Sequence, residues 1–134
     1  MSARSKARKR ALDLIYASEM RNRSPLDALA EQAEAGPVND YTRVLVTGVT
    51  EHQARLDEVL SGYVQGWTLD RMPAVDRNVL RLATYEVLYV DDVPDAVAVS
   101  EALNLVRDLS TDESPAYVNG VLGNIVRDRD SLAG

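Results

Sequence analysis

Apolar residues recur along almost the whole chain at the three- and four-residue intervals of a helix, and no two-residue alternation bounded by hairpin turns stands against them. The spacing predicts a first helix over about residues 4–21, with Ala7, Ala11, Leu14, Ile15 and Ser18 on one face. Ser24-Pro25-Leu26-Asp27 reads as a helix start, with serine capping, proline in the first helical position and an acid in the first turn. Leu26, Leu29, Ala30 and Ala33 would form its buried stripe, and Gly36-Pro37 would end it. A long helix is predicted over about 40–64, capped by Asn39 or Asp40. Its stripe runs Tyr41, Val44, Leu45, Gly48, Val49, His52, Leu56, Val59, Leu60, Tyr63.

A short turn capped by Thr68 follows, and Pro73 opens the next helix, where Val75, Val79, Leu82, Ala83, Glu86 and Val87 share a face. Asp92-Val93-Pro94 breaks it. Residues 95–109 form another helix, with Val97, Ala98, Glu101, Ala102, Leu105 and Leu109 turned inward. Ser114-Pro115 repeats the serine–proline start for a last helix built on Val118, Val121, Leu122, Ile125 and Val126. The expected architecture is all-α, a compact bundle of about seven helices joined by short connections. It forms one domain over residues 1–134, with helical halves of about 1–66 and 67–134 on either side of the Trp67–Pro73 stretch.

Charge adds a second pattern. The chain has 15 basic and 21 acidic residues, a net charge of −6, which alone argues against a polyanionic partner. Yet residues 1–10 carry Arg4, Lys6, Arg8, Lys9 and Arg10 and no acid, so the remainder holds 10 bases against 21 acids, or −11. An acidic body with a basic start fits a polyanion-binding arm, and it fits a solvated tail as well. On a helix the five cations would be held in fixed relative positions, which lowers the ordering cost of binding. Tyr16 falls on the same side as Lys9, two turns on, so one could meet a phosphate and the other stack on a base. Tyrosines at helical spacing also serve as core.

Catalytic chemistry finds little support. There is no cysteine and a single histidine, His52, on an apolar stripe. Thiol nucleophiles, cysteine-ligated zinc and multi-histidine metal sites are therefore excluded. No phosphate-binding glycine loop or calcium loop occurs; Gly120 and Gly123 lie inside a helical pattern and read as points of close packing. The expectation is a non-enzyme without metal or cofactor. Glu101 lies near a buried stripe and calls for a partner, for which Arg81 is a candidate, or else reaches water at the stripe's edge. No apolar run approaches the roughly 20 residues of a membrane span, and the basic start is a poor secretory signal, so a cytoplasmic protein is expected.

Four segments resemble the NusB family of transcription antitermination factors. They are Arg8-Lys9-Arg10-Ala11-Leu12-Asp13-Leu14-Ile15-Tyr16, the run Asp76 to Glu86 with its Val79-Leu80-Arg81 core, Val93 to Ala102, and Tyr117-Val118-Asn119-Gly120-Val121-Leu122. Their order and spacing agree from about residue 4 to 127. The resemblance implies two stacked helical subdomains and binding of single-stranded boxA RNA in nascent ribosomal RNA transcripts, together with NusE, the small-subunit ribosomal protein. It further implies an antitermination complex with NusA, NusG and RNA polymerase.

Residue by residue, the resemblance assigns Arg4, Lys6, Arg8, Lys9 and Arg10 to phosphates and places Tyr16, Arg81, Glu113 and Tyr117 at the RNA. Asp76 is placed at the NusE contact. Tyr117 stands where the family has phenylalanine, which keeps a ring for stacking and adds a hydroxyl. Ser100, Gly123 and Asp13 depart from the family's usual asparagine, aspartate and glutamine. A helical protein–protein adaptor without RNA binding is the alternative, and a homodimer is compatible with the amphipathic faces.

Overall fold

The computed structural model describes residues 2–132, which form eight helices and no strand. The chain separates into two compact units, the first ending at His52 and the second beginning at Gln53. The division thus comes earlier in the chain than the Trp67–Pro73 stretch.

The first unit holds α1 (Ala3–Met20), α2 (Pro25–Ala35) and α3 (Asp40–Glu51). The α1 face expected from the periodicity is buried: Ala7, Ala11, Leu14, Ile15 and Ser18 are all at most 5% exposed. Helices α1 and α3 pack on each other, and the Thr42 hydroxyl of α3 donates to the Ala7 carbonyl at 3.1 Å. Leu45, Val46 and Val49 complete this core. Helix α1 ends in a Schellman turn: Arg23 N–H donates to Ser18 O, Asn22 N–H donates to Glu19 O, and Asn22 takes φ +53°. Asparagine is one of the few residues that enters this left-handed region readily. Ser24 caps α2 as expected, accepting from Leu26 N–H with Pro25 behind it. The α2 stripe is thinner than its sequence promised, because only Leu29 is buried while Leu26, Ala30 and Ala33 stay exposed.

The long helix expected over 40–64 is interrupted at His52, between α3 and α4 (Gln53–Ser61). The stretch before the break, Val46-Thr47-Gly48-Val49-Thr50, is made of β-branched residues and glycine, all weak helix formers. The stripe continues through the break, so hydrophobic spacing alone did not reveal it.

The second unit is built around α5 (Ala74–Tyr89), which packs against α4, α6 (Asp95–Leu109), α7 (Ser114–Arg127) and the short α8 (Arg129–Leu132). Being covered on several sides, α5 buries Val79, Leu80, Leu82, Ala83 and Val87 together with Asp76, Asn78, Arg81, Thr84 and Glu86. Leu56 and Leu60 of α4, Ala98, Ala102 and Val106 of α6, and Val118, Leu122 and Ile125 of α7 fill the space around it. Val97 and Leu109, expected inward on α6, are 41% and 39% exposed, and Glu101 is half-buried. Gly120 and Gly123 face open space rather than a close crossing, since a methyl group added at either would meet nothing within 4 Å.

Candidate nucleic-acid interface

The expected site residues fall into two groups, one in each unit. In the first unit, Ser2 caps α1 and accepts from Ser5 N–H at 3.1 Å, so the cationic segment is helical from its first turn. Its first turn contains Arg4 and Lys6 and no acid. That placement runs against the helix dipole, whose positive end lies there and which favours acids by about 0.3–1 kcal/mol each. A local preference broken in this way needs a compensating anion or aromatic face.

The aromatic face is Tyr41, on the first turn of α3. The Arg4 guanidinium carbon stands 4.2 Å above its ring centroid and that of Arg8 5.7 Å. Arg8 is only 3% exposed. It was expected at a phosphate, but its guanidinium is withdrawn from the surface beside Tyr41, where it supports the helix. Lys6 and Arg10 are exposed and, among the described residues, make no side-chain hydrogen bond or ion pair. Lys9 is paired with Asp13 one turn on, Nζ to Oδ2 at 2.8 Å, with both side chains largely in solvent. An exposed pair of this kind is worth only about 0.3–0.5 kcal/mol, so a phosphate can take Asp13's place. Tyr16 is 37% exposed on the same side. Lys6, Lys9, Asp13 and Tyr16 thus form an exposed stripe along α1.

The second group behaves differently. Arg81 is 8% exposed and forks onto Asp57 of α4, with Nε to Oδ1 at 2.8 Å and Nη2 to Oδ2 at 3.0 Å; Nη1 donates to Asn78 Oδ1 at 3.2 Å. It was expected near RNA and instead ties α4 to α5. Asp76, expected at a partner surface, is fully buried. Its carboxylate accepts from the Ser110 hydroxyl at 2.6 Å and the Ser114 hydroxyl at 2.8 Å, joining the start of α5 to the α6–α7 connection. Ser114 therefore does not cap α7; it lies inside the helix, with Glu113 in the cap position and Pro115 in the first turn.

Glu113 is exposed and Tyr117 half-buried. The Tyr117 hydroxyl accepts from Gln65 N–H at 3.1 Å and donates to Gln65 O at 3.2 Å, while Trp67 meets its ring edge-on at 5.2 Å between centroids. Trp67 is itself 42% exposed, so this end of α7 presents an aromatic pair rather than one ring. Asp57, Tyr41 and Trp67 escaped the sequence reasoning. The first two sat within helical patterns and the third in a turn, with no motif to single them out.

Among the described residues, no group of three or more His, Asp or Glu side chains is placed to hold a metal ion, and no helix is long and apolar enough to cross a membrane.

A sequence model described as "NusB family" matches residues 5–127, nearly the whole chain. The chain belongs to the NusB family. The curated transcription antitermination protein NusB of Nocardioides sp. is 67% identical over 135 residues, covering 99% of this chain and 100% of that one. Among solved structures, T. maritima NusB superposes with a TM-score of 0.85 at 31% identity, covering 96% of this chain and 94% of that one. A structure of antitermination factors NusB and NusE in complex with dsRNA shares the fold, with a TM-score of 0.79 at 23% identity over 92% of this chain and 96% of that one. The all-helical fold expected from the periodicity and the family expected from the four segments are both what these comparisons find.

Proposed function

We propose that this NusB-family chain is a cytoplasmic transcription antitermination factor that binds the boxA element of nascent ribosomal RNA transcripts together with NusE. In this reading it then joins the antitermination complex of RNA polymerase, NusA and NusG, and residues 1–134 act as one RNA-binding domain. The name carried by its curated relatives supports the process, and the similarly folded protein seen with NusE and dsRNA makes those the partners to test.

One observation carries the RNA reading. Lys6 and Arg10 are exposed and uncommitted on a helix whose first turn is cationic against its own dipole, in a chain that is otherwise strongly acidic. Lys9 joins them by exchanging Asp13 for phosphate, Arg4 approaches from the Tyr41 ring, and Tyr16 offers a face for stacking. Arg8, Arg81 and Asp76 act from within the fold, by holding the surfaces that make contact. Glu113, exposed beside the Tyr117–Trp67 pair, would repel a strand that came too close and so tune affinity.

The test is a titration of a boxA oligonucleotide at several salt concentrations, with and without NusE. Four phosphate contacts from Arg4, Lys6, Lys9 and Arg10 give a slope of log K against log salt near about −2.8, taking about −0.7 per contact on a single strand. Absence of binding at every salt concentration, with NusE binding retained, would instead identify a protein–protein adaptor.

A further inference from the structure

Helices α1 and α2, the segment leading into α3 and the first turn of α3 enclose a groove of about 640 Å³ within the first unit. We propose that this groove is a second stretch of the RNA path, in which Arg21 holds a phosphate of the strand beyond those bound by the cationic first turns. The inference rests on the RNA reading above and extends it to residues that neither the family resemblance nor the basic run singled out.

Position comes first. Arg10 and Arg21 both line the groove. Eleven residues separate them, which on a helix returns them to the same side within about 20° and sets them about 16 Å apart. Lys6 lies on that side as well, about 40° from Arg10. The three cations therefore form one row along α1, with the groove opening between the second and the third.

Charge comes next. Arg21 is exposed and, like Lys6 and Arg10, makes no side-chain hydrogen bond or ion pair among the described residues. The acids in the groove wall are already engaged: Asp13 by Lys9 at 2.8 Å, and Glu31 by Arg23 at 3.1 Å, a pairing that holds the Glu31 carboxyl below its ordinary range. The groove wall thus sets Arg10, Arg21 and Arg23 against Asp13 and Glu31, and it stays net positive even when Lys9 leaves Asp13 for a phosphate. A polyanionic strand fits this net positive wall.

The Schellman turn at Asn22 fixes the chain between Arg21 and Arg23, and the Arg23–Glu31 pair ties that turn to α2. Arg21 is presented from a closed turn rather than a loose end, which reduces the ordering cost when it takes a phosphate. The exposed Gln32 side chain on the α2 wall can both donate and accept, so a base entering the groove finds a hydrogen-bonding edge.

The experiment compares a minimal boxA oligonucleotide with one extended by several uridines at both ends, for the unaltered chain, Arg21→Gln and Gln32→Glu. The extended RNA is expected to bind the unaltered chain more tightly than the minimal one. Arg21→Gln should weaken the extended RNA about eightfold at 50 mM salt and about threefold at 0.2 M, flatten its salt slope by about 0.7, and leave the minimal RNA unaffected. Gln32→Glu, an isosteric change that adds a negative charge to the groove, should also weaken only the extended RNA. Melting curves of both variants should match the unaltered chain.

If the unaltered chain binds RNA and neither variant discriminates by length, the groove assignment is overturned and the RNA reading stands. If the unaltered chain binds no RNA, both fall together. A loss of NusE binding in Arg21→Gln without any change in RNA affinity also overturns the proposal and gives the groove to the protein partner.

Discussion

Arg81 on α5 and Asp57 on α4 meet through two parallel hydrogen bonds, 2.8 and 3.0 Å long, with the guanidinium almost entirely out of solvent. This pairing explains why an arginine belongs in the Val-Leu-Arg segment without requiring it to touch RNA. Removing Asp57 strands a buried charge, and such losses cost about 3–5 kcal/mol when burial is complete. The Asp57 side chain keeps 31% of its exposure, so water relieves part of that, and about 2 kcal/mol is expected for Asp57→Ala. A circular-dichroism melt should fall by several degrees, with RNA affinity at low temperature unchanged.

Asp76 calls for a different test from the one its position in the sequence suggests. Replacing it with lysine would bury an uncompensated cation among the hydroxyls of Ser110 and Ser114, and would disrupt the second unit before any partner could be assayed. Asp76→Asn keeps the shape and one carbonyl acceptor. It should lose about 1–2 kcal/mol in urea denaturation. Its effect on NusE binding should disappear once the folded fraction is taken into account; a residual loss of partner affinity would restore a direct role.

The Asp128 carboxylate at the end of α7 accepts from the Arg127 guanidinium at 2.9 and 3.0 Å and from the Tyr63 hydroxyl at 2.7 Å. These donors, the guanidinium first, lower its pKa from 3.8 to about 2. Because the folded value is depressed, the stabilisation is complete above the unfolded value near 4. It is lost as pH falls from about 4 towards 2, where the carboxylate takes up its proton. Melting temperatures of the unaltered chain and Asp128→Asn should differ above pH 4 and converge towards pH 2. A gap that stays constant across that range would rule out the pairing.

The arm separates into contacts that bind and contacts that support. Lys6→Ala with Arg10→Ala should flatten the salt slope by about 1.4, while the melting temperature stays level or rises slightly as a cation leaves the positive end of the dipole. Arg8→Ala should do the reverse, lowering stability by about 1 kcal/mol through loss of its buried stem and of the contact with Tyr41. Fluorescence titration and thermal melts on the same samples distinguish the two patterns.

Much of the fold was legible because helical periodicity reports burial directly. The α1 face, the Ser24-Pro25 start and the bounds of α6 all follow from spacing and capping residues. The break at His52 was not legible, because the apolar stripe runs through it unbroken. At the site, periodicity locates a side chain on one helix but says nothing of what covers it. Arg8 reads as another cation of the arm until α3 brings Tyr41 to it, and Asp76 reads as a surface acid until the α6–α7 connection supplies two hydroxyls. Gly120 and Gly123 misled in the opposite direction, since a glycine in a helix looks the same in sequence whether it faces a neighbour or open space.

The capped first turn of α1 carries Arg4 and Lys6 and no acid. Positive side chains crowd there onto the positive pole of a coil that Ser2 already holds closed. On the RNA reading proposed above, an arriving phosphate relieves that repulsion on a turn already formed, so capture of the strand needs no folding step.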